Sequence, residues 1–149
     1  MSHANELIDA IGLRLKELYP DVRVTSEEAE QIKSEDLPYF FVMVIAGDGG
    51  RVLRDEYRYQ NTVAVDYEVR PDMPKKNEHL NNIAESLITE LENVKDIEGR
   101  PFHAIQDSQN YERIGNFVRF TVSYRYKVLV VKPKADTMTG QELESRITR

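Results

Sequence analysis

The pattern of apolar and polar positions predicts two helices. Between Asn5 and Tyr19 apolar residues recur at steps of one, three and four, and Pro20 follows as a helix terminator. The same helical spacing returns between Asn77 and Glu92. Each helix therefore has one apolar stripe to bury. The predicted inner positions are Leu7, Ile8, Ile11, Leu15 and Leu18 in the first helix, and Leu80, Ile83, Ala84, Leu87 and Leu91 in the second.

Alternation of apolar and polar residues predicts strands elsewhere. It is regular over Tyr57–Arg70 and Val118–Val130, which favours two long strands with one buried face each, and it is brief at Val22–Val24. Tyr39–Ala46 is apolar on both faces, which is typical of a central strand. The order of helices and strands indicates an α+β domain: an antiparallel or mixed sheet with two helices packed on one face.

Glycine and proline mark the predicted connections. Gly47-Asp48-Gly49-Gly50 is interpreted as a turn or mobile loop, and Ile114–Phe117 as a tight turn. Asp96–Asn110 is interpreted as a strand that Gly99 and Pro101 interrupt. We expect Leu15, Val65, Leu87 and Val122 to be buried core residues.

The two long strands are longer than a compact core requires. At ~3.3 Å per residue, the strand that begins at Tyr57 could span roughly 45 Å, whereas a compact chain of this size is about 38 Å across. The strands must therefore bend, or project beyond the core as a hairpin. A projecting hairpin has open edges that favour a partner.

Length, composition and charge narrow the class of protein. A chain of 149 residues fits one domain, which we assign to residues 1–132, followed by a polar tail at 133–149 that is expected to be flexible. The net charge of −6 argues against sequence-specific nucleic-acid binding and against anionic membranes. The absence of cysteine excludes disulfides, zinc–thiolate sites and cysteine nucleophiles. The longest apolar run, Phe40–Ala46, is far shorter than a membrane span.

No catalytic or metal-binding pattern emerges from the polar residues. The acidic stretch before Pro38 contains Glu27, Glu28 and Glu30, but its spacing does not match a calcium loop, so a solvated connection is favoured. The three histidines lack the neighbours of a metal site; they are His3, His79 and His103. We therefore predict no catalytic residues, metal or cofactor. A small enzyme or ligand-binding domain with an acidic site stays open as an alternative.

A Tyr-Arg-Tyr triplet occurs on each long strand, at Tyr57-Arg58-Tyr59 and at Tyr124-Arg125-Tyr126. Tyrosine and arginine are enriched at protein interfaces. They are also common in alternating strands, so interface and strand packing both stay open.

The order of these motifs resembles the small phage tail terminator family of phages and prophages of Firmicutes. The residues that carry the resemblance are an acidic stretch (TSEEAEQ, residues 25–31), a strand opened by proline (PYFFV, 38–42) and an Arg/Tyr-rich strand (YRYQNTVAVDYEVR, 57–70). The closing strand FVRFTVSYRYKV (117–128) completes the order. The resemblance covers residues 5–130. Tyr39 stands where the family often has cysteine, and the segment 32–37 is longer.

The resemblance implies a structural virion protein rather than an enzyme. Such a protein forms a ring, commonly a hexamer, on the end of the tail tube, stops tube polymerisation and presents a surface to the head connector, while DNA passes through its channel. It would be a virion tail component assembled in the bacterial cytoplasm, with tail tube protein, connector protein and its own copies as partners. Another head–tail connector or tail completion protein is the nearest alternative. The candidate assembly-interface residues are Glu27, Glu28, Glu30, Tyr57, Arg58, Tyr59, Arg119, Arg125 and Lys127.

Overall fold

A computed structural model describes residues 2–26 and 37–130 of the chain. Its elements follow in the order α1 (His3–Leu18), β1 (Arg23–Thr25), β2 (Tyr39–Leu53), β3 (Glu56–Glu68), α2 (Lys76–Glu90), β4 (Asn93–Lys95), β5 (Pro101–His103), β6 (Asn110–Ile114) and β7 (Phe117–Leu129). The strands form a mixed five-stranded sheet, in the order β1-β2-β3-β7-β6, and a separate β4-β5 hairpin. The predicted α+β class is confirmed.

Both helices lie where the apolar spacing predicts them. The Ser2 side chain caps α1 by accepting a hydrogen bond of 3.1 Å from the backbone N–H of Asn5. At its other end the N–H of Tyr19 donates to the carbonyl of Leu15. Helix α2 begins after Lys75, which has a left-handed backbone with φ 54°. None of the helices in the described ranges is long and apolar enough to cross a membrane.

The sheet is built on two long antiparallel ladders. Strand β3 pairs with β2 on one side, and with β7 on the other from Glu56↔Leu129 to Glu68↔Phe117. Strand β1 pairs with β2 in parallel, and β6 pairs with β7 in antiparallel. Because β1 and β6 are short, they cover only one end of the long strands.

The hydrophobic core lies between the two helices and one face of the sheet, which we call the helix face. Leu15, Val65, Leu87 and Val122 are all fully buried there, as predicted. The ring of Tyr124 is also buried, and its hydroxyl donates to the carbonyl of Leu91. Burial removes the phenol from water and raises its pKa.

The glycine-rich segment is strand, so its interpretation as a turn is wrong. Gly47 and Gly49 lie within β2, and the chain turns later, next to Arg54. The physical reason is steric: a Cβ on Gly49 would stand 2.6 Å from Cδ1 of Tyr59, and one on Gly47 would stand 2.7 Å from Nδ2 of Asn61. Glycine here makes room for side chains of the neighbouring strand.

The segment Asp96–Asn110 is not one interrupted strand. Strands β4 and β5 pair across a turn in which the Asp96 carboxylate accepts hydrogen bonds from the N–H groups of Glu98 and Arg100. Gly99 supplies the positive φ of 87° that this turn needs. Strand β6 begins only at Asn110 and belongs to the large sheet. The predicted polar tail lies outside the described residues, so the division at residue 132 stays a prediction.

Candidate assembly interface

The large sheet has a covered half and an exposed half. Under the helices, Phe40 and Val42 of β2 are buried, whereas every residue from 45 to 53 of the same strand is exposed. We call the exposed half the ribbon; it comprises residues 46–53 of β2, 56–60 of β3 and 125–129 of β7, and Tyr126 lies at its base. The ribbon is thus three strands wide.

The ribbon has two chemically different faces. Strand register places Tyr57, Tyr59 and Tyr126 on the helix face. The opposite face, on which no described helix packs, we call the bare face. Its ribbon positions form rows across the three strands: Asp48–Gln60–Arg125 is one row, and Gly50–Arg58–Lys127 is the next.

Four of the candidate interface residues share the bare face, namely Arg58, Arg119, Arg125 and Lys127. The two candidate tyrosines, Tyr57 and Tyr59, face the other way. Glu27, Glu28 and Glu30 lie outside the described residues. The sequence pattern thus names residues from both faces of one sheet, and the geometry separates them into two groups.

Arg119 is already engaged within the chain. Its guanidinium donates to both carboxylate oxygens of Asp66, at 2.8 and 2.9 Å. The hydrogen bond from Arg119 to Asp66 is the main reason that the pKa of Arg119 is raised. The guanidinium also lies 5.9 Å from the centroid of the Phe117 ring. Of the four bare-face cations, Arg119 is therefore the one best satisfied inside the subunit.

The other three cations lie toward the tip of the ribbon. Arg125 donates to the side-chain oxygen of Gln60 at 3.3 Å, and Lys127 forms an exposed ion pair with Glu56 at 3.2 Å. Arg58 forms no ion pair with another residue of the described ranges. Exposed pairs of this kind contribute ~0–1 kcal/mol, so these charges can readily exchange their partners. A groove beside β7 is lined by Arg58, Arg100, Pro101, His103, Arg125, Tyr126 and Lys127.

Tyr59 and Tyr126 anchor the base of the ribbon to the core. Their rings lie 5.8 Å apart, and the His3 ring of α1 lies 5.5 Å from that of Tyr59. The Tyr126 hydroxyl donates to Oδ1 of Asn61 at 2.6 Å. Burial, the largest cause, raises the pKa of Tyr126 to about 12. Tyr126, the last residue of the Tyr124-Arg125-Tyr126 triplet, therefore holds β7 in place. Arg125, between the two tyrosines, points to the bare face.

Sequence reasoning expected open strand edges but could not say which strand carries one. Strand β1 pairs with β2 only along Tyr39–Phe41, and β6 pairs with β7 only along Phe117–Thr121. Ala104, the residue after β5, forms a further antiparallel bridge with Tyr124 of β7. In the part of the chain that the structure describes, no strand other than β3 pairs with β2 from 43 to 53, whereas β5 lies beside β7, with the Phe102 ring 5.1 Å from that of Tyr126. Because strand order decides which edges are open, only the clue of strand length could have indicated them.

The tip of the ribbon is apolar as well as exposed. Val52 and Leu53 of β2 are 41% and 64% exposed, and Leu129 of β7 is 71% exposed. Exposed apolar residues that cluster indicate a contact surface rather than random exposure. Combined with the open edge of β2, they make the ribbon the described surface of this chain best suited to a protein partner.

The described histidines make ordinary structural contacts. Nε2 of His79 lies 2.9 Å from the hydroxyl of Tyr67, and His103 is hydrogen-bonded to Asn93. Across residues 2–26 and 37–130, no three His, Asp or Glu side chains are grouped so that they could hold a metal ion.

The exposed, open-edged ribbon of this small α+β chain is the kind of surface that proteins use to assemble with others. The family model of the phage tail terminator protein matches residues 6–138 of the chain. The chain therefore belongs to the phage tail terminator family, and the resemblance seen in the sequence is confirmed. Its place is among the structural proteins of the phage tail.

Other comparisons add little to this assignment. One solved structure is similar to the chain at 15% sequence identity, with a TM-score of 0.43, over 89% of this chain and 100% of its own. A similarity this weak indicates nothing about function. A comparison with curated proteins gives no match.

Proposed function

We propose that this protein is the terminator subunit of a phage tail. Copies assemble as a ring, with a hexamer as the expected stoichiometry, on the end of the tail tube. The ring stops further addition of tail tube protein and presents a surface to the head-side connector. The role is structural, without catalysis or cofactor, and assembly takes place in the cytoplasm of the bacterial host. The observation that carries the proposal is the family match over residues 6–138.

The exposed ribbon supports a role in assembly. An isolated subunit leaves Val52, Leu53 and Leu129 in water together with the unpaired backbone edge of β2 beyond Phe41. Monomeric proteins avoid such edges or protect them. A ring on a tube would cover both the open edge of β2 and the tip.

The charges of the ribbon suit a ring that forms on the end of a tube but not in dilute solution. Arg58, Arg125 and Lys127 form only weak exposed contacts inside the subunit, so they are available to a neighbour. Because each exposed pair contributes ~0–1 kcal/mol, we expect a monomer or a monomer–oligomer mixture in dilute solution and a ring on tubes. The acidic residues Glu27, Glu28 and Glu30 stay candidates for the tube or subunit interface on sequence grounds.

The test is electron microscopy of tubes assembled from the cognate tail tube protein, with and without this protein. The proposal predicts tubes of limited length with a ring on one end. Tubes that grow freely and carry no ring would overturn it. If the protein leaves tubes uncapped but binds the connector, the alternative of a head–tail joining protein replaces the terminator.

A further inference from the structure

We propose that the open edge of β2 in one subunit pairs with the outer edge of β6 in the next copy, as antiparallel strands. Strand β6 ends the large sheet on the side opposite β1, so no described strand lies beyond it, and most of its residues are exposed. The inference rests on the proposed function, because a ring supplies the neighbouring copy. It identifies the ring interface as a continuous sheet, in which the covered half of one copy lies beside the ribbon of the next.

The backbone of β6 presents hydrogen-bonding groups to its outer edge. The N–H and C=O groups of Ser123 in β7 bond to residues 105–108, so both groups point away from β3. Backbone direction alternates along a strand, so Arg119 points the same way and shares hydrogen bonds with its partner Glu112 in β6. The residues on either side of Glu112 therefore direct their N–H and C=O groups outward; they are Tyr111 and Arg113.

The same alternation gives the direction of the backbone in β2. Asn61 of β3 is paired with a residue of β7 whose backbone faces β3, so the even-numbered residues of β3, including Arg58, face β2. Gly50 is paired with Arg58 and therefore faces inward. Its neighbours Gly49 and Arg51 direct their backbone groups to the open edge. Each of the two edges thus has a row of outward-pointing donors and acceptors.

Backbone direction and charge select one register. Strands β2 and β6 run in opposite directions in the sheet, and outward-facing residues lie opposite each other in an antiparallel ladder. Three such registers place Glu112 within two residues of Gly50. The two outer ones set Asp48 against Glu112, or Arg51 against Arg113, and like charges directly opposite each other destabilise strand pairing. The register between them sets Gly50 against Glu112.

This register completes a row of alternating charge on the bare face. Within one copy the row runs Asp66–Arg119–Glu112, and in the next copy it continues with Gly50 and Arg58. A Cβ on Gly50 would meet nothing within 4 Å, so the space above this position is open. Two strand spacings of ~4.8 Å separate Glu112 from Arg58 of the next copy. The exposed carboxylate can therefore reach across Gly50 to the guanidinium, which has no ion pair with another described residue.

The stagger of the two edges suits a closed ring. Residues 119 to 127 of β7 separate the row of Glu112 from the row of Gly50, which is roughly 26 Å along the strands. The five strands of the sheet span about 24 Å across. A continuous sheet with this ratio closes when its strands tilt by about 45–50° from the ring axis, close to the ~35–45° of closed β-barrels. The pairing is head-to-tail, as a ring requires.

Cysteine crosslinking tests the pairing, because the chain has no native cysteine. Gly50→Cys and Glu112→Cys place one thiol at each edge. In the proposed register their Cα atoms lie ~4.5 Å apart, a distance that a disulfide can bridge. Within one copy the two positions are roughly 30 Å apart, so a disulfide has to join two copies. The single variants are mixed on cognate tubes under mild oxidation, and we expect disulfide-linked dimer in the mixture and none with either variant alone.

Lys127→Cys is the matched control for Gly50→Cys. It lies in the same row but two strands further from the junction, so it should form no dimer with Glu112→Cys. A dimer with this control would overturn the proposed register. Self-crosslinking of either edge variant would indicate pairing of like edges and overturn the proposal, as would the absence of dimer from the first mixture.

Charge reversal separates this inference from the proposed function. Arg58→Glu and Glu112→Lys alter exposed side chains and should each abolish tube capping, whereas the combined variant should restore it. If all three variants cap tubes as the unmodified protein does, or if the combined variant restores nothing, the edge pairing is wrong and the terminator function stands. If the unmodified protein fails to cap tubes, the proposed function falls, and the inference that rests on it falls as well.

Discussion

The covered half and the ribbon are two parts of the same strands with opposite surroundings. In the covered half, Val65 of β3 and Phe120 of β7 lie under the helices and are fully buried. Further along the same face the ribbon carries Tyr57 and Val128, which are only partly buried. The alternation of side chains continues unchanged between the two halves. Alternation therefore shows which way a residue points, but not whether anything covers it.

The two halves also contribute differently to stability. Each fully buried apolar side chain in the covered half stabilises the fold by ~1.5–3 kcal/mol. The ribbon gains little from burial, since its tip leaves Leu53 and Leu129 in water. We infer that the covered half determines folding and that the ribbon is kept for assembly. The predictions that follow test this division.

Truncation in the two halves should give the largest contrast. Leu87→Ala removes a fully buried side chain of α2 and should lower the free energy of unfolding by ~2–5 kcal/mol. Leu53→Ala at the ribbon tip should change it by less than ~0.5 kcal/mol. Urea denaturation measures both variants. Equal stability of the two variants would contradict the division.

Glycine substitution within the ribbon should give an intermediate effect. Gly49→Ala places a Cβ against the Tyr59 ring and should destabilise by ~1–3 kcal/mol. Gly50→Ala is the matched control, because a Cβ there meets nothing within 4 Å. Thermal denaturation should show a lower Tm for the first variant only. A normal Tm for Gly49→Ala would mean that Tyr59 does not pack over β2.

The smallest expected effect is on the pH dependence of stability, and it is seen only at alkaline pH. Burial, as the main cause, raises the pKa of Tyr67 in the covered half and that of Tyr126 at the base of the ribbon, each to about 12. The folded state therefore favours the protonated phenols. Their contribution to stability is complete below ~10, the usual pKa of tyrosine, and is lost as pH rises toward 12.

Absorbance at 295 nm measures this titration, because the chain has no tryptophan. Tyr67→Phe and Tyr126→Phe should each remove one late-titrating tyrosine from the alkaline transition. If Tyr126→Phe leaves the late transition unchanged, the base of the ribbon is open to water and the anchoring role of that residue is wrong.

Much of the covered half could be predicted from the sequence, because burial imposes periodicity. The apolar stripe that contains Leu15 located α1, and the alternation around Val65 and Val122 located the long strands. The extent of β2 could not be predicted, since Gly47 and Gly49 have no side chain to show alternation. Glycine is required at these two positions because the side chains of Asn61 and Tyr59 on the next strand leave no room for a Cβ.

The candidate interface was predicted only in part. Alternation was sufficient to place Arg58, Arg125 and Lys127 on one face. It could not show that Arg119 is held by Asp66, because that contact joins residues of two different strands. Open edges follow from strand order, which depends on how the whole chain pairs. The role of Glu27, Glu28 and Glu30 stays a prediction.

Hydrogen exchange of backbone amides, read by mass spectrometry, tests the account most directly. It compares peptides from the covered half with peptides that contain Gly47 and Gly49 of the open β2 edge, in the free protein and on capped tubes. We predict slow exchange of the covered half in both states. The edge amides of the ribbon should exchange fast in the free protein and slowly on tubes. Edge amides that stay fast on capped tubes would contradict the claim that the ribbon is the assembly half of this protein.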